Sequence, residues 1–190
     1  MGISPEFGYY RLGTEQGGSI ELWQYAIPLQ AERLREAVEL ERAGQQGEDG
    51  ARRVDADAHF LLAAVHNGLR FVDALQTIWL HDEQLQSALD EFARRFPDAK
   101  NFRDVLTHME EYVLDRGKLQ DPKRGVVAAG SPSYRMTMKD GEVRYGYGPF
   151  IVPLFATATA AGDIMNLAWE LWWQGLRDNV DGVDQPGDEA

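Results

Sequence analysis

Residues 55–72, Asp-Ala-Asp-Ala-His-Phe-Leu-Leu-Ala-Ala-Val-His-Asn-Gly-Leu-Arg-Phe-Val, carry the clearest periodicity in the chain. Leu61, Leu62, Val65, Leu69 and Val72 recur at helical spacing and form one apolar stripe, the pattern of a helix with one face in a core. Asp55 or Asp57 supplies a candidate N-cap, because a short carboxylate just ahead of the stripe can take an orphan backbone N–H. His59, His66, Arg70 and Asp73 fall opposite the stripe and are expected to be solvated, or to meet another helix across a dimer.

Outward from this helix the chain reads as further helices. Upstream, Leu22, Ala26, Leu29, Arg33, Glu36 and Leu40 step at helical spacing, predicting a helix over 19–43; Pro28 either kinks it or marks its start. Residues 1–18, rich in glycine, are expected to form a loose N-terminal segment, and 44–53 a polar loop. Downstream, a helix is expected over 82–95, broken at Phe96-Pro97-Asp98, and another over 100–116, with Phe102, Val105, Leu106, Met109 and Val113 on one side.

Residues 134–147 switch to a period of two. Tyr134, Met136 and Met138 alternate with Arg135, Thr137 and Lys139, Asp140-Gly141 supplies a turn, and Val143, Tyr145 and Tyr147 alternate after it. This is a β-hairpin signature, and the hairpin that the Asp140-Gly141 turn tips is expected to be exposed and dispensable for the helical fold. A last helix, predicted over 149–177, is apolar on most sides and ends in Trp169, Trp172 and Trp173, read as core or interface anchors. The expected fold is all-α, a helical bundle with a β-hairpin inserted before the last helix. It forms a single domain over 19–178, followed by a disordered acidic tail over 179–190.

Composition bounds the chemistry. With 190 residues and 44% hydrophobic content the chain suffices for one core. It contains no cysteine, which excludes disulfides, thiolate metal sites and cysteine nucleophiles. Neither a signal-like N-terminus nor an apolar run long enough for a membrane span is seen, so a cytoplasmic protein is expected. The formal charge of −12 argues against a broad basic surface that coats nucleic acid. No Glu-x-x-His pair, phosphate-binding glycine loop or Gly-x-Ser-x-Gly elbow occurs, and no cofactor is expected. Asp163, Asn166 and Glu170 share a face of the last helix, read as its wet side.

The most informative segment for function is 101–112, Asn-Phe-Arg-Asp-Val-Leu-Thr-His-Met-Glu-Glu-Tyr. At 100° per residue Arg103, Asp104 and Thr107 fall opposite the apolar side, and His108 lies one turn beyond Asp104. Arg94, Arg95 and Lys100 make this the most basic stretch of an acidic chain. An arginine and a histidine on one face suit RNA cleavage without a metal. The imidazole moves protons near neutral pH, the guanidinium holds the scissile phosphate, and the carboxylate orients the ring. Arg52 and Arg53 stand at similar spacing to His59, but at a loop–helix junction.

Arg103-Asp104-Val105-Leu106-Thr107-His108 resembles the Arg-polar-x3-His signature of HEPN domains. The resemblance covers the helical part of the chain and leaves the hairpin outside. It implies a homodimer in which two copies of this helix meet and a composite, metal-independent ribonuclease site. It also implies a toxin–antitoxin or defence setting, with an antitoxin or regulatory protein as a possible partner. The chain departs from some toxin members in having Glu110 two residues after the histidine, with the nearest tyrosine at Tyr112.

Overall fold

The computed structural model describes residues 5–45, 50–107 and 134–181, with no side-chain description at 5–16, 79, 103, 104, 106, 107, 134, 147 and 178–181. Its order is α1 (Pro5–Arg42), α2 (Gly50–Leu75), a π-helical turn (Gln76–Leu80), α3 (Glu83–Arg95), α4 (Pro97–Thr107), β1 (Tyr134–Lys139), β2 (Glu142–Tyr147), β3 (Phe150–Pro153) and α5 (Leu154–Asp181). This is the expected helical bundle with a small antiparallel sheet before the last helix.

The centre is a bundle of α1, α2 and α5, each packed on the other two. Ile27, Leu34, Leu61, Val65, Ala161 and Met165 are buried in its shared core. The α2 stripe is as expected: Leu61, Leu62, Val65 and Val72 are buried and Leu69 is partly so. On α1 the buried face is not the one along which Leu22, Ala26 and Leu29 step. Ile20, Ile27, Leu34, Ala37 and Val38 go inward, while Leu22 and Leu29 remain 58% and 59% exposed. Both faces of α1 carry apolar residues at helical spacing, and only the packing of α2 and α5 selects between them.

Several boundaries also move. α1 begins at Pro5 rather than Ser19, so residues 5–18 are helical rather than a loose segment, and it runs on through Pro28. α2 begins at Gly50, which turns the expected loop end and both candidate caps into helix. Asp57 lies buried within α2, at 2% exposure, 3.2 Å from the Arg33 guanidinium of α1 and 3.8 Å from that of Arg53. Phe96 does break the chain between α3 and α4, but Pro97 opens α4; a missing N–H costs nothing in a first turn. Asp82 caps α3 by accepting the Leu85 N–H at 2.9 Å, and the Gln76 side chain bonds to the Asp82 backbone through both its amide nitrogen and its oxygen.

The predicted hairpin is present, with Lys139 opposite Glu142 and Tyr134 opposite Tyr147. Asp140 and Gly141 both have positive φ, 54° and 80°, as a two-residue I′ turn requires. The last helix does not start at Pro149. Gly148, at φ 56°, and Pro149 make a second two-residue turn, and residues 150–153 return as β3, pairing Phe150 with Tyr147. Glycine first and proline second suit a II′ turn, which the apolar run from residue 149 onward conceals. Nor is the hairpin a detachable excursion. Val143 and Tyr145 are buried in the main core, and both Glu142 oxygens accept N–H groups of the first turn of α5, from Phe155 at 2.8 Å and Ala156 at 3.0 Å.

Candidate functional site

Helix α4 is held in place from one side. Phe102 and Val105 are fully buried, and at the start of the helix Asp98 accepts the Ile151 backbone N–H of β3 at 3.0 Å. Between the two buried residues lie Arg103 and Asp104, on the helix backbone as the sequence predicts. Their side chains, and all of His108, lie outside the described residues. The same is true of Met109, Val113 and Tyr112.

What the described part adds is a polar pair directly behind this helix. The Tyr145 hydroxyl of β2 and Nε2 of His59 on α2 are 2.8 Å apart and share a hydrogen bond, their rings edge to face with centroids 5.3 Å apart. Phe102 of α4 also packs on the Tyr145 ring, tilted to it with centroids 5.2 Å apart. Thus α2, β2 and α4 meet at one buried phenol, and the ring that α4 brings to it, Phe102, is one residue before Arg103. Burial pushes the His59 pKa below the ordinary histidine range, against a smaller opposite pull from the Asp55 carboxylate. His59 was expected to be solvated or to meet another helix across a dimer; the structure instead half-buries it against Tyr145 of the hairpin. No sequence signal pairs residues 59 and 145, which lie in different elements 86 positions apart.

The polar row of the last helix lies beside a second feature. Asp163 and Asn166 line a cleft of about 370 Å³ between α1 and α5, together with Gln24, Glu32, Arg35 and Phe155. Gln24 donates to Asn166 at 3.0 Å, and the Arg35 guanidinium, in contact with Glu32, lies 5.0 Å over the Phe155 ring. At the far end of α5 the indoles of Trp169, Trp172 and Trp173 stack on one another with centroids 5.3 to 6.0 Å apart. Trp172 seats on α1 at Gly17, where a Cβ would come within 2.2 Å of the ring. Of the three tryptophans read as core or interface anchors, Trp172 is seated on α1, whereas Trp173 is 47% exposed.

Among the described residues no three His, Asp or Glu side chains converge as metal ligands, and no helix is long and apolar enough to cross a membrane. Comparisons with protein families, with curated proteins and with solved structures find no match.

Proposed function

We propose that the chain is a HEPN-like, metal-independent endoribonuclease acting as a toxin or defence effector. The observation that carries this reading is that the Arg103-Asp104 start of the motif stands on a helix locked into the core by Phe102 and Val105. A rigid element is what a phosphate-holding arginine needs, since loose positioning forfeits most of its effect. In this reading the substrate 2′-oxygen attacks the adjacent phosphorus and the bond to the 5′-oxygen breaks. His108 moves the proton, Arg103 stabilises the charge gathering on the phosphate oxygens, and Asp104 orients the imidazole. The products are a cyclic phosphate and a 5′-hydroxyl, and no step requires a metal. A homodimer through the region of α4 completes the site, RNA is the substrate, and an antitoxin or regulatory protein is a fitting partner.

The test is cleavage of single-stranded RNA by purified protein in the presence of a chelator. Wild type is expected to cut, with cyclic-phosphate ends, and His108→Ala and Arg103→Ala are each expected to lose cutting while keeping the helical circular dichroism. RNA left equally intact by all three proteins would overturn the reading.

A second reading is favoured by a separate observation: a non-catalytic, homodimeric interaction protein. The notable surface is not the last helix, whose Leu154, Ala158, Ala161, Ile164, Met165 and Ala168 are covered within the chain. It is α1, where Leu22, Tyr25 and Leu29 are all more than half exposed.

A further inference from the structure

Alternation along the hairpin turns Met136, Met138, Val143 and Tyr145 toward the core. It sends Arg135, Thr137, Lys139 and Arg144 to the outer face of the sheet, where all four are exposed. On that face Gly146 lies opposite Arg135, and Ile151 of β3 lies opposite Gly146. Lys139 stands about 14 Å along β1 from Arg135. Arg144, opposite Thr137, lies midway between them and about 5 Å aside, on the next strand.

These cations differ from the arginines of the bundle. Arg33 and Arg53 pair with Asp57, Arg35 with Glu32 and Arg94 with Glu91. Among the described residues none of Arg135, Lys139 and Arg144 is in an ion pair. Three acids lie around the face. Glu142 shares it, opposite Lys139, but both its oxygens accept N–H groups at the positive end of α5. Asp98 stands at the edge of β3, where it accepts the Ile151 N–H, and Asp140 lies beyond Lys139 in the turn. The strand positions of the face thus carry three cations against one carboxylate that is already engaged, in a chain of net charge −12.

Arg135 is also held in place in advance. Its stem lies over Gly146, where a Cβ would come within 3.1 Å of its Cγ and 3.2 Å of its Nε, and its guanidinium donates to the Gly148 carbonyl at 3.1 Å. A side chain fixed in this way gives up little freedom on binding. Cations spread over two strands suit a polymer with a charge on every repeat, since one small anion would meet only one of them. Ile151 joins this face to α4: its side chain is on the face, and its N–H is bonded to Asp98, five residues and about 7.5 Å of helix rise before Arg103. We propose that the outer face of the sheet, with Arg135, Lys139 and Arg144 around Gly146, holds the phosphodiester backbone of a single RNA strand and leads it to α4.

This rests on the ribonuclease reading above and names where its substrate lies. The test is binding of a labelled single-stranded RNA by the full chain carrying His108→Ala, which prevents cutting, over a series of salt concentrations. Adding Arg135→Gln, Lys139→Gln and Arg144→Gln should weaken binding about tenfold or more and lower the slope of log affinity against log salt by about 2, at about 0.7 for each phosphate contact. Helical circular dichroism should not change, because all three residues are exposed. Lys139→Gln with Arg144→Gln, which leaves the Arg135 bond to Gly148 in place, should remove about 1.4 of the slope. Arg70→Gln with Arg177→Gln changes the net charge equally on exposed positions of α2 and α5 and should leave the slope nearly as it was. Failure to bind RNA, an unchanged slope in the triple variant, or an equal loss in the Arg70 and Arg177 control would overturn this face. If the native chain nevertheless cuts RNA, the ribonuclease reading stands without it. A native chain that binds RNA through this face and never cuts it would overturn that reading and keep the surface. Capture of anionic lipid vesicles through the same three residues, with no RNA bound, would make the occupant a membrane and overturn the RNA assignment.

Discussion

Tyr145 and His59 hold each other across the boundary between hairpin and bundle, phenol oxygen to Nε2 at 2.8 Å, with the phenol ring fully buried. The bond stands immediately behind Phe102 and therefore behind the helix that carries Arg103. A neutral imidazole can accept the phenol proton at Nε2, and burial favours that neutral form.

Removing the phenol oxygen tests the pair. Tyr145→Phe keeps the ring packing on Phe102 and loses the hydrogen bond, leaving a partly buried nitrogen behind. A loss of about 1–2 kcal/mol in urea unfolding is expected, and Tyr145→Ala should cost several times that by emptying the core site.

The depressed pKa of His59 has a sign. The unfolded chain titrates this residue near the ordinary value of about 6.5, the folded chain below it. Between those two values the unfolded state binds more protons, so stability falls as pH drops below about 6.5 and levels off once the folded ring is protonated too. Urea midpoints measured from pH 7.5 to pH 5 should therefore decline, and His59→Gln should flatten the part of that decline that belongs to this window. A slope identical in both proteins would contradict the assignment.

Glu142 separates a removable turn tip from a needed strand. Replacing Lys139, Asp140 and Gly141 by glycines and serines should change the melting temperature little, because those three residues are exposed. Glu142→Ala uncovers two N–H groups at the positive end of α5 and should cost about 1–2 kcal/mol. Glu142→Gln should recover part of that, since it keeps an acceptor and loses the charge. Hydrogen exchange at Phe155 and Ala156 reads the effect directly.

Asp57 is the one charged residue among the described residues that is almost completely buried. Asp57→Asn leaves the Arg33 and Arg53 guanidiniums without their anion, and because both arginines are about half exposed the penalty is screened. A loss of about 1–3 kcal/mol is expected by denaturant unfolding. Arg33→Met should cost less than Asp57→Asn, because Arg53 still faces the carboxylate.

Gly17 admits Trp172 to the surface of α1. Gly17→Val should drive the indole out and disorder the three-ring stack, lowering the near-ultraviolet circular dichroism of the tryptophans at a cost of about 1–3 kcal/mol. Gly18→Ala, where a Cβ meets nothing within 4 Å, is the neighbouring control.

The helices and the hairpin were legible in the sequence because their signals are local: the α2 stripe, the Phe96-Pro97 break and the Asp140-Gly141 turn are each written within a few residues. So was the position of Arg103 and Asp104 on a helix whose other face is Phe102 and Val105. What lay beyond the sequence follows from competition between equally good local patterns. α1 offers two apolar faces, and only its neighbours decide that Ile27 and Leu34 go inward while Leu22 and Leu29 stay out. An aspartate near the start of an apolar run reads as a cap, and only the arrival of Arg33 from another helix makes it a buried anion. An apolar stretch after Pro149 reads as helix, and only pairing with β2 draws its first residues into a strand. His59 reads as solvated, or as a contact across a dimer, until the hairpin folds over it. Periodicity records which faces could be buried, and the tertiary structure decides which are, because burial requires a partner that the local sequence does not contain.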